Sequence, residues 1–222
     1  MIDEQAGGLE PPAVLQVLRN PHCTLEIIER LAAEQRLLAY YEVRRGLTLH
    51  PRTPEALALR FVTGLHWRDL MELGLDTRLR PTLRRAADLR LIARLPELAL
   101  GEKLAIARRA GTGVLAQLRH DPSPRVAAAL LDNPRLTEGL LEPLVNSVAA
   151  APAVLEVIAA DRRWGARYAL RLALARNPAT PVVAAWRILG TLRKPDLKLV
   201  AGDPRLTEAV RRRAWVLLEE KE

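Results

Sequence analysis

The chain carries an internal duplication at a constant offset of 127 residues. Residues 50–95 align with residues 177–222 without a gap, and 15 of the 46 paired positions are identical. The same register continues upstream, for example through Tyr41 and Tyr168. Self-similarity at a fixed spacing is typical of repeat architectures, in which each unit buries its apolar face on the next. The duplication therefore constrains the fold more than any single residue does.

Proline-containing strings divide the chain into short segments, as in HPRTP (50–54), DPSPR (121–125) and NPATP (177–181). We expect them to be turns that start helices, with Thr53, Thr180 and Ser123 capping the first turn and the following proline inside it. Between them apolar residues recur at i, i+3 and i+4, and no strand-like alternation occurs. The pattern predicts an all-α fold of about a dozen or more helices of roughly 8–17 residues.

The duplication also predicts the domain organisation. Residues 1–10 are acidic and Gly-rich and are predicted to be a disordered tail. Residues 11–222 are predicted to form a single α-solenoid, in which copies at 12–95 and 139–222 are joined by a further repeat pair at 96–138.

One set of strings resembles a known family. NPATP is followed by Leu189 and Leu192, and then by Asp203, Val210-Arg211 and Ala214, as in bacterial HEAT-like repeats, including the leucine-rich repeat variants. The resemblance implies an armadillo-type α–α superhelix, a right-handed solenoid of short helices with a binding or scaffolding role. Some similar proteins carry an iron–sulfur cluster on an N-terminal Cys-rich segment, but one cysteine cannot supply the ligands of such a cluster.

Composition bounds the compartment. Cys23 is the only cysteine, so the chain cannot form an internal disulfide, and we expect a cytoplasmic protein. The most apolar run, residues 147–160, is interrupted by Pro152 and Glu156 and is shorter than the roughly 20 residues of a membrane span. We therefore expect no membrane partner, and the oligomeric state stays open.

The charge is positive and unevenly distributed. The formal net charge is +8, and residues 11–218 carry 33 basic and 20 acidic side chains, a net of +13. Thirty of the 34 basic residues are arginines, which pair with carboxylates or phosphates but can equally reflect genome composition. Charge alone leaves nucleic acid and acidic protein as alternative partners.

Catalytic patterns are missing from the sequence. The four histidines have no metal-ligand spacing, the two serines form no nucleophile arrangement, and phosphate-binding glycine motifs are absent. We therefore predict no catalytic, metal or cofactor-binding residues. The duplicated acids Asp69/Asp196 and Asp76/Asp203 are interpreted as helix caps.

The candidate contact residues lie in DRRWGARYALRLALARNP (161–178). Treated as one helix, this segment places Arg163, Arg167 and Arg171 in a stripe beside Trp164 and Tyr168. Arginines among aromatic rings suit a nucleic-acid backbone with unstacked bases, or an acidic protein. The alternative is that the two rings pack between helices while the arginines are solvated. Elsewhere, Trp186 is predicted to be in the core and Trp67 is a weaker contact candidate.

Three functions follow from these patterns. The first is a non-catalytic binding or scaffold module that uses a helical-repeat surface for a protein or peptide partner. The second is nucleic-acid binding through the basic, aromatic surface. The third is DNA glycosylase activity, which rests on the resemblance alone. Some alkylpurine DNA glycosylases are built from HEAT-like repeats, and such a site would use an aromatic, an acidic and a basic residue, here Trp164, Asp161 and Arg163.

Overall fold

The computed structural model describes residues 10–220 as helices joined by tight turns, with no strand in that range. This confirms the predicted all-α fold. The sixteen α-helices are Pro11–Leu18 (α1), Leu25–Ala33 (α2), Gln35–Leu38 (α3), Tyr41–Leu49 (α4), Glu55–Val62 (α5), Trp67–Leu75 (α6), Pro81–Arg94 (α7), Leu100–Arg109 (α8), Thr112–Leu118 (α9), Pro124–Leu131 (α10), Glu138–Val145 (α11), Pro152–Ala160 (α12), Tyr168–Ala175 (α13), Val182–Leu189 (α14), Lys194–Ala201 (α15) and Glu208–Glu219 (α16).

The predicted tail lies outside the described residues, except for its last member. Glu10 immediately precedes α1, and its Oε1 lies 3.3 Å from Nη1 of Arg36. Both side chains are largely exposed to solvent, so this ion pair contributes little to stability.

The helices form two compact units, which meet in sequence between Glu97 and Leu98. In the N-terminal unit α1 packs on α4, α4 and α7 pack on α5, and α6 packs on α7. In the C-terminal unit one row of helices runs α8, α10, α12, α14, α16, and a second row runs α9, α11, α13. Helical layers that bury one apolar face on each neighbour are a common solution for short amphipathic helices.

The duplication seen in the sequence is reproduced in the helix bounds. Shifting α1, α2 and α5 by 127 residues gives the bounds of α11, α12 and α14. The same shift takes the first residues of α4, α6 and α7 to those of α13, α15 and α16. Among α1–α7, the helices of the first copy, only the four-residue helix α3 has no counterpart, because the equivalent residues form a turn.

The turns are stabilised by a polar side chain at their first residue. In each of these turns the backbone N–H two residues further on donates a hydrogen bond to that side chain, and Asp or Asn readily adopts this geometry. The acceptor residues bonded in this way are Asn20, Asp76, Asp121, Asn133, Asp161, Asn177 and Asp203. In the first copy, His50 stands at the position equivalent to Asn177, and its Nδ1 accepts from the N–H of Arg52.

The predicted threonine caps are wrong. Pro54 and Pro181 occupy the N-cap positions of α5 and α14, and no side chain caps either helix. The preceding threonines are buried instead, and the Thr53 hydroxyl donates to the carbonyl of Leu47 at 2.6 Å. Ser123 does occupy the N-cap of α10 with Pro124 following it, but its hydroxyl does not cap the helix.

The duplicated acids are structural, although not as helix caps. Asp69 and Asp196 lie in the first turns of α6 and α15, where they accept hydrogen bonds from tyrosine hydroxyls. Asp76 and Asp203 follow these two helices and stabilise the next turn. The predicted placement at helix starts is therefore confirmed for Asp69 and Asp196, although neither caps its helix, and it is wrong for Asp76 and Asp203, which follow helix ends.

Candidate functional site

The predicted Arg–aromatic helix is partly a turn. Residues 161–167 form a turn, and α13 begins only at Tyr168. The cause is Asp161, whose Oδ1 accepts from the backbone N–H groups of Arg163 at 2.9 Å and Trp164 at 2.7 Å. The helical stripe of Arg163, Arg167 and Arg171 is therefore not present as predicted, because only Arg171 lies on α13.

Trp164 is in the core of the C-terminal unit. Its side chain is 1% exposed, and its Nε1–H donates to the carbonyl of Leu131 at 3.1 Å. The guanidinium carbons of Arg163 and Arg167 lie 4.5 Å and 4.9 Å from the centre of the indole ring. The ring is therefore covered, and it does not present a face on which a base stacks.

Tyr168 joins α13 to the start of α15. Its hydroxyl donates to Asp196 and accepts from the backbone N–H of Arg193 at 3.1 Å. The guanidinium carbons of Arg171 and Arg193 lie 5.4 Å and 4.8 Å from the tyrosine ring centre. Stacking of this kind orients a guanidinium while its N–H groups keep their capacity to donate.

Sequence reasoning missed Arg193, although the duplication contains a signal for it. Arg193 is equivalent to His66, and Tyr168 is equivalent to Tyr41. The ring centres of His66 and Tyr41 lie 4.1 Å apart. Both copies thus place a nitrogen-rich side chain against the duplicated tyrosine. We call Arg163, Arg167, Arg171 and Arg193 with their two aromatic rings the arginine cluster.

The arginine cluster adjoins an open groove between α11 and α13. Arg167 makes the connection, because its Nη1 lies 2.7 Å from Oε2 of Glu138, a residue of the groove wall. The groove encloses about 570 Å³. It is lined by Glu138, Glu142, Asn146, Val148, Ala169, Leu170, Leu172, Ala173, Arg176, Asn177, Pro178 and Arg205. We call it the α11–α13 groove.

One end of the groove is cationic. Arg205 donates from Nε and Nη2 to the two carboxylate oxygens of Asp203 at 3.0 Å and 2.7 Å, and Arg176 Nη2 lies 4.0 Å from Asp203. The hydrogen bonds from Arg205 lower the pKa of Asp203 to about 2, so the carboxylate stays ionised at neutral pH. One carboxylate thus faces two guanidinium groups.

The tryptophans outside the cluster differ from expectation in one case. Trp186 was predicted to be in the core, but it is 45% exposed on α14 and donates from Nε1 to the carbonyl of Ala209 at 3.3 Å. Trp67 is partly buried at the start of α6 and lies under the guanidinium of Arg68. Neither ring lines the α11–α13 groove.

Asp161, the acid of the enzymatic hypothesis, already accepts two backbone hydrogen bonds in the turn before α13. Within residues 10–220 the structure places no group of three or more His, Cys, Asp or Glu side chains that could hold a metal ion. In the same range, no helix combines the length and apolarity of a bilayer span.

Comparison of the chain with models of protein families, with curated proteins and with solved structures finds no match.

Proposed function

We propose that this chain is a non-catalytic binding module that holds a segment of a protein partner in the α11–α13 groove. The observation that carries the proposal is that the floor of the groove is apolar, while charged side chains line its walls. Peptide segments commonly bind by laying an apolar face into a hydrophobic groove. The volume of about 570 Å³ accommodates several side chains of a peptide rather than a whole domain.

The floor comes from one face of α13. Ala169, Leu172 and Ala173 recur at the i, i+3 and i+4 spacing of a helix face, and all three line the groove. Small side chains on this face keep the groove open, and Val148, which is 65% exposed, extends its apolar surface. Burying these side chains under a partner removes apolar surface from water, which is the main driving force of association.

The role of Asp161 in a turn supports this proposal over the glycosylase hypothesis. Its Oδ1 accepts from the N–H groups of Arg163 and Trp164, and the Trp164 ring is buried. We expect no release of alkylated bases from DNA by the purified chain. Release that disappears in Asp161→Asn, with the variant still folded, would contradict the proposal.

The experiment is a selection of random peptides on the intact chain, followed by affinity measurements on the peptides selected. Ala173→Trp fills the groove, and we expect it to weaken binding by at least about tenfold. Ala128→Trp is the matched control, because Ala128 is exposed on α10 and does not line the groove. If both variants bind the selected peptides as well as the original chain does, the groove is not the binding site.

Nucleic-acid binding is the second candidate, and the arginine cluster favours it. Of its four arginines, only Arg167 is engaged in an ion pair among the described residues. Trp164 is buried and the ring of Tyr168 lies against two guanidinium groups, so contacts would be to phosphates rather than to stacked bases. Binding of single-stranded RNA should then fall steeply with salt and weaken in the double variant Arg163→Gln, Arg193→Gln. RNA binding that is unchanged in this variant would remove the second candidate.

A further inference from the structure

The surface shared by α4 and α6 in the first copy differs from the equivalent surface of α13 and α15 in the second copy. In the first copy, Nε of Arg45 on α4 lies 2.5 Å from Oδ1 of Asp69 on α6, and its Nη2 lies 3.9 Å from Oε2 of Glu72. These charges line a depression of about 260 Å³, together with Leu49 and Arg78. In the first copy, the charged side chains on this surface are therefore paired with one another.

The second copy has leucines at the equivalent positions. Leu172 replaces Arg45, and Leu199 replaces Glu72. The geometry is otherwise retained, because Tyr168 bonds Asp196 as Tyr41 bonds Asp69. Leu172 is one helical turn beyond Tyr168, and Leu199 is three residues beyond Asp196, so both leucines face the same surface. Leu199 is 53% exposed, which leaves an apolar patch where the first copy has charges.

A new cation accompanies the leucines. Arg176 stands where the first copy has Leu49, while the pair of Asp76 with Arg78 is retained as Asp203 with Arg205. The first copy thus has a neutral pair, and the second has two guanidinium groups on one carboxylate. The side chains of Arg176 and Arg205 are 43% and 59% exposed, so both can pair with an incoming anion.

We propose that the α11–α13 groove and its extension to Leu199 bind an acidic peptide segment in which a leucine-like side chain neighbours a carboxylate. The apolar side chain packs on Leu172 and Leu199, and the carboxylate pairs with Arg176 and Arg205. Guanidinium groups bind carboxylates through paired, charge-assisted hydrogen bonds. This inference rests on the proposed function, because it specifies the partner of that same groove.

The opposite wall restricts where the acid binds. Glu142 is exposed on α11 and lines the groove, so it repels a second carboxylate at that wall. Glu138, on the same helix, is already paired with Arg167. The charges therefore place the carboxylate of the partner at the Arg176 end, and its neutral or basic residues along α11.

The probes are the peptides selected from the random library on the intact chain. We expect them to be enriched in Asp or Glu next to Leu, Ile, Met or Phe. Changing that acid to its amide in the peptide should weaken binding by about tenfold. The same change should have little further effect on binding to Arg176→Leu, since the acid and Arg176 act as one pair.

The variants of the protein introduce residues that the first copy carries at the equivalent positions of its helices. Arg176→Leu restores the residue of the first copy, and the double variant Leu172→Arg, Leu199→Glu restores its pair of charges. Both variants should bind the selected peptides about tenfold or more weakly than the original chain does. Arg125→Leu on α10 is the control for charge, because Arg125 is exposed outside the groove.

Three results would overturn the inference. Selected peptides without acids, or an effect of Arg176→Leu no larger than that of Arg125→Leu, would show that the groove does not recognise carboxylates. Competition by single-stranded RNA that requires Arg176 would assign this end to phosphates. If Ala173→Trp still abolishes peptide binding in these cases, the groove remains a binding site and only the acidic character of its partner is wrong.

Discussion

The hydroxyl of Tyr168 donates a hydrogen bond to the carboxylate of Asp196, and Tyr41 makes the same bond to Asp69 at an offset of 127 residues. Each hydroxyl also accepts from a backbone N–H just before the helix that carries the acid. A single side chain thus joins two helices and fixes the start of the second. The recurrence of all these partners in both copies indicates that the duplication preserved a structural unit.

Removing the tyrosine hydroxyl should destabilise the chain. Tyr168→Phe leaves the Asp196 carboxylate and the N–H of Arg193 without their partner, and we expect the free energy of unfolding to fall by about 1–3 kcal/mol. Urea denaturation followed by circular dichroism measures the change. Tyr40→Phe is the control, since Tyr40 is 48% exposed. This variant should lower the free energy of unfolding by less than about 0.5 kcal/mol. Equal effects of the two variants would show that the bond to Asp196 contributes nothing.

The helical fold follows from local signals that the sequence contains. Polar residues followed by proline mark the turns because Asn, Asp and His side chains accept the N–H two residues on, as at Asn177 and His50. The duplication also pairs Trp164 with Leu37, and each is 1% exposed. That pairing was the available signal that Trp164 is buried, and the helical-stripe interpretation overlooked it.

The groove was beyond sequence reasoning, because it depends on the distance between α11 and α13. Periodicity shows that Ala169 and Ala173 share a helix face, but it does not show whether a neighbouring helix covers that face. The turn at residues 161–167 was missed for a related reason. Arg163 and Trp164 have no strong preference against a helix, and the bonds of their N–H groups to Asp161 decide the conformation.

Trp164 should be the most sensitive tryptophan of the chain. Trp164→Ala removes a fully buried ring and the bond to the Leu131 carbonyl, and we expect a loss of about 3–5 kcal/mol. Trp215→Ala is the matched control, because Trp215 is 55% exposed on α16, and it should cost less than about 1 kcal/mol. Thermal unfolding of both variants tests the difference, and similar midpoints would contradict the burial of Trp164.

Gly165 should not tolerate even the smallest side chain. A Cβ atom at this position would lie 2.6 Å from the carbonyl oxygen of Ala159 and 2.7 Å from that of Asp161. Both are backbone atoms, so Gly165→Ala must displace the turn, and we expect a loss of about 1–3 kcal/mol. Gly139→Ala is the control, because a Cβ there meets nothing within 4 Å.

The control should change stability in the opposite direction. Gly139 lies in the first turn of α11, where alanine reduces the entropy of the unfolded chain and favours the helix by up to about 1 kcal/mol. Urea denaturation of the two variants gives both signs in one experiment. A Gly165→Ala variant as stable as Gly139→Ala would show that the turn adapts freely.

The pH dependence of stability should reveal the carboxylate at the cationic end of the groove. Arg205 lowers the pKa of Asp203 to about 2, below the value of about 3.9 in an unfolded chain. A carboxyl group whose pKa is lower in the folded state stabilises the fold above its unfolded pKa. That contribution is lost as the pH falls from about 5 to 2.

Asp203→Asn should remove this dependence while keeping the turn, because asparagine accepts the same backbone N–H at Asn133 and Asn177. We expect the free energy of unfolding of the original chain to exceed that of the variant by up to about 2 kcal/mol at pH 6 and by little at pH 2. Urea denaturation across this range measures the difference, with Asp132→Asn as an exposed control. A difference that stays constant with pH would mean that the ionised form of Asp203 is not favoured by folding, and that Arg176 and Arg205 are more open to an incoming carboxylate than the pairing in the groove implies.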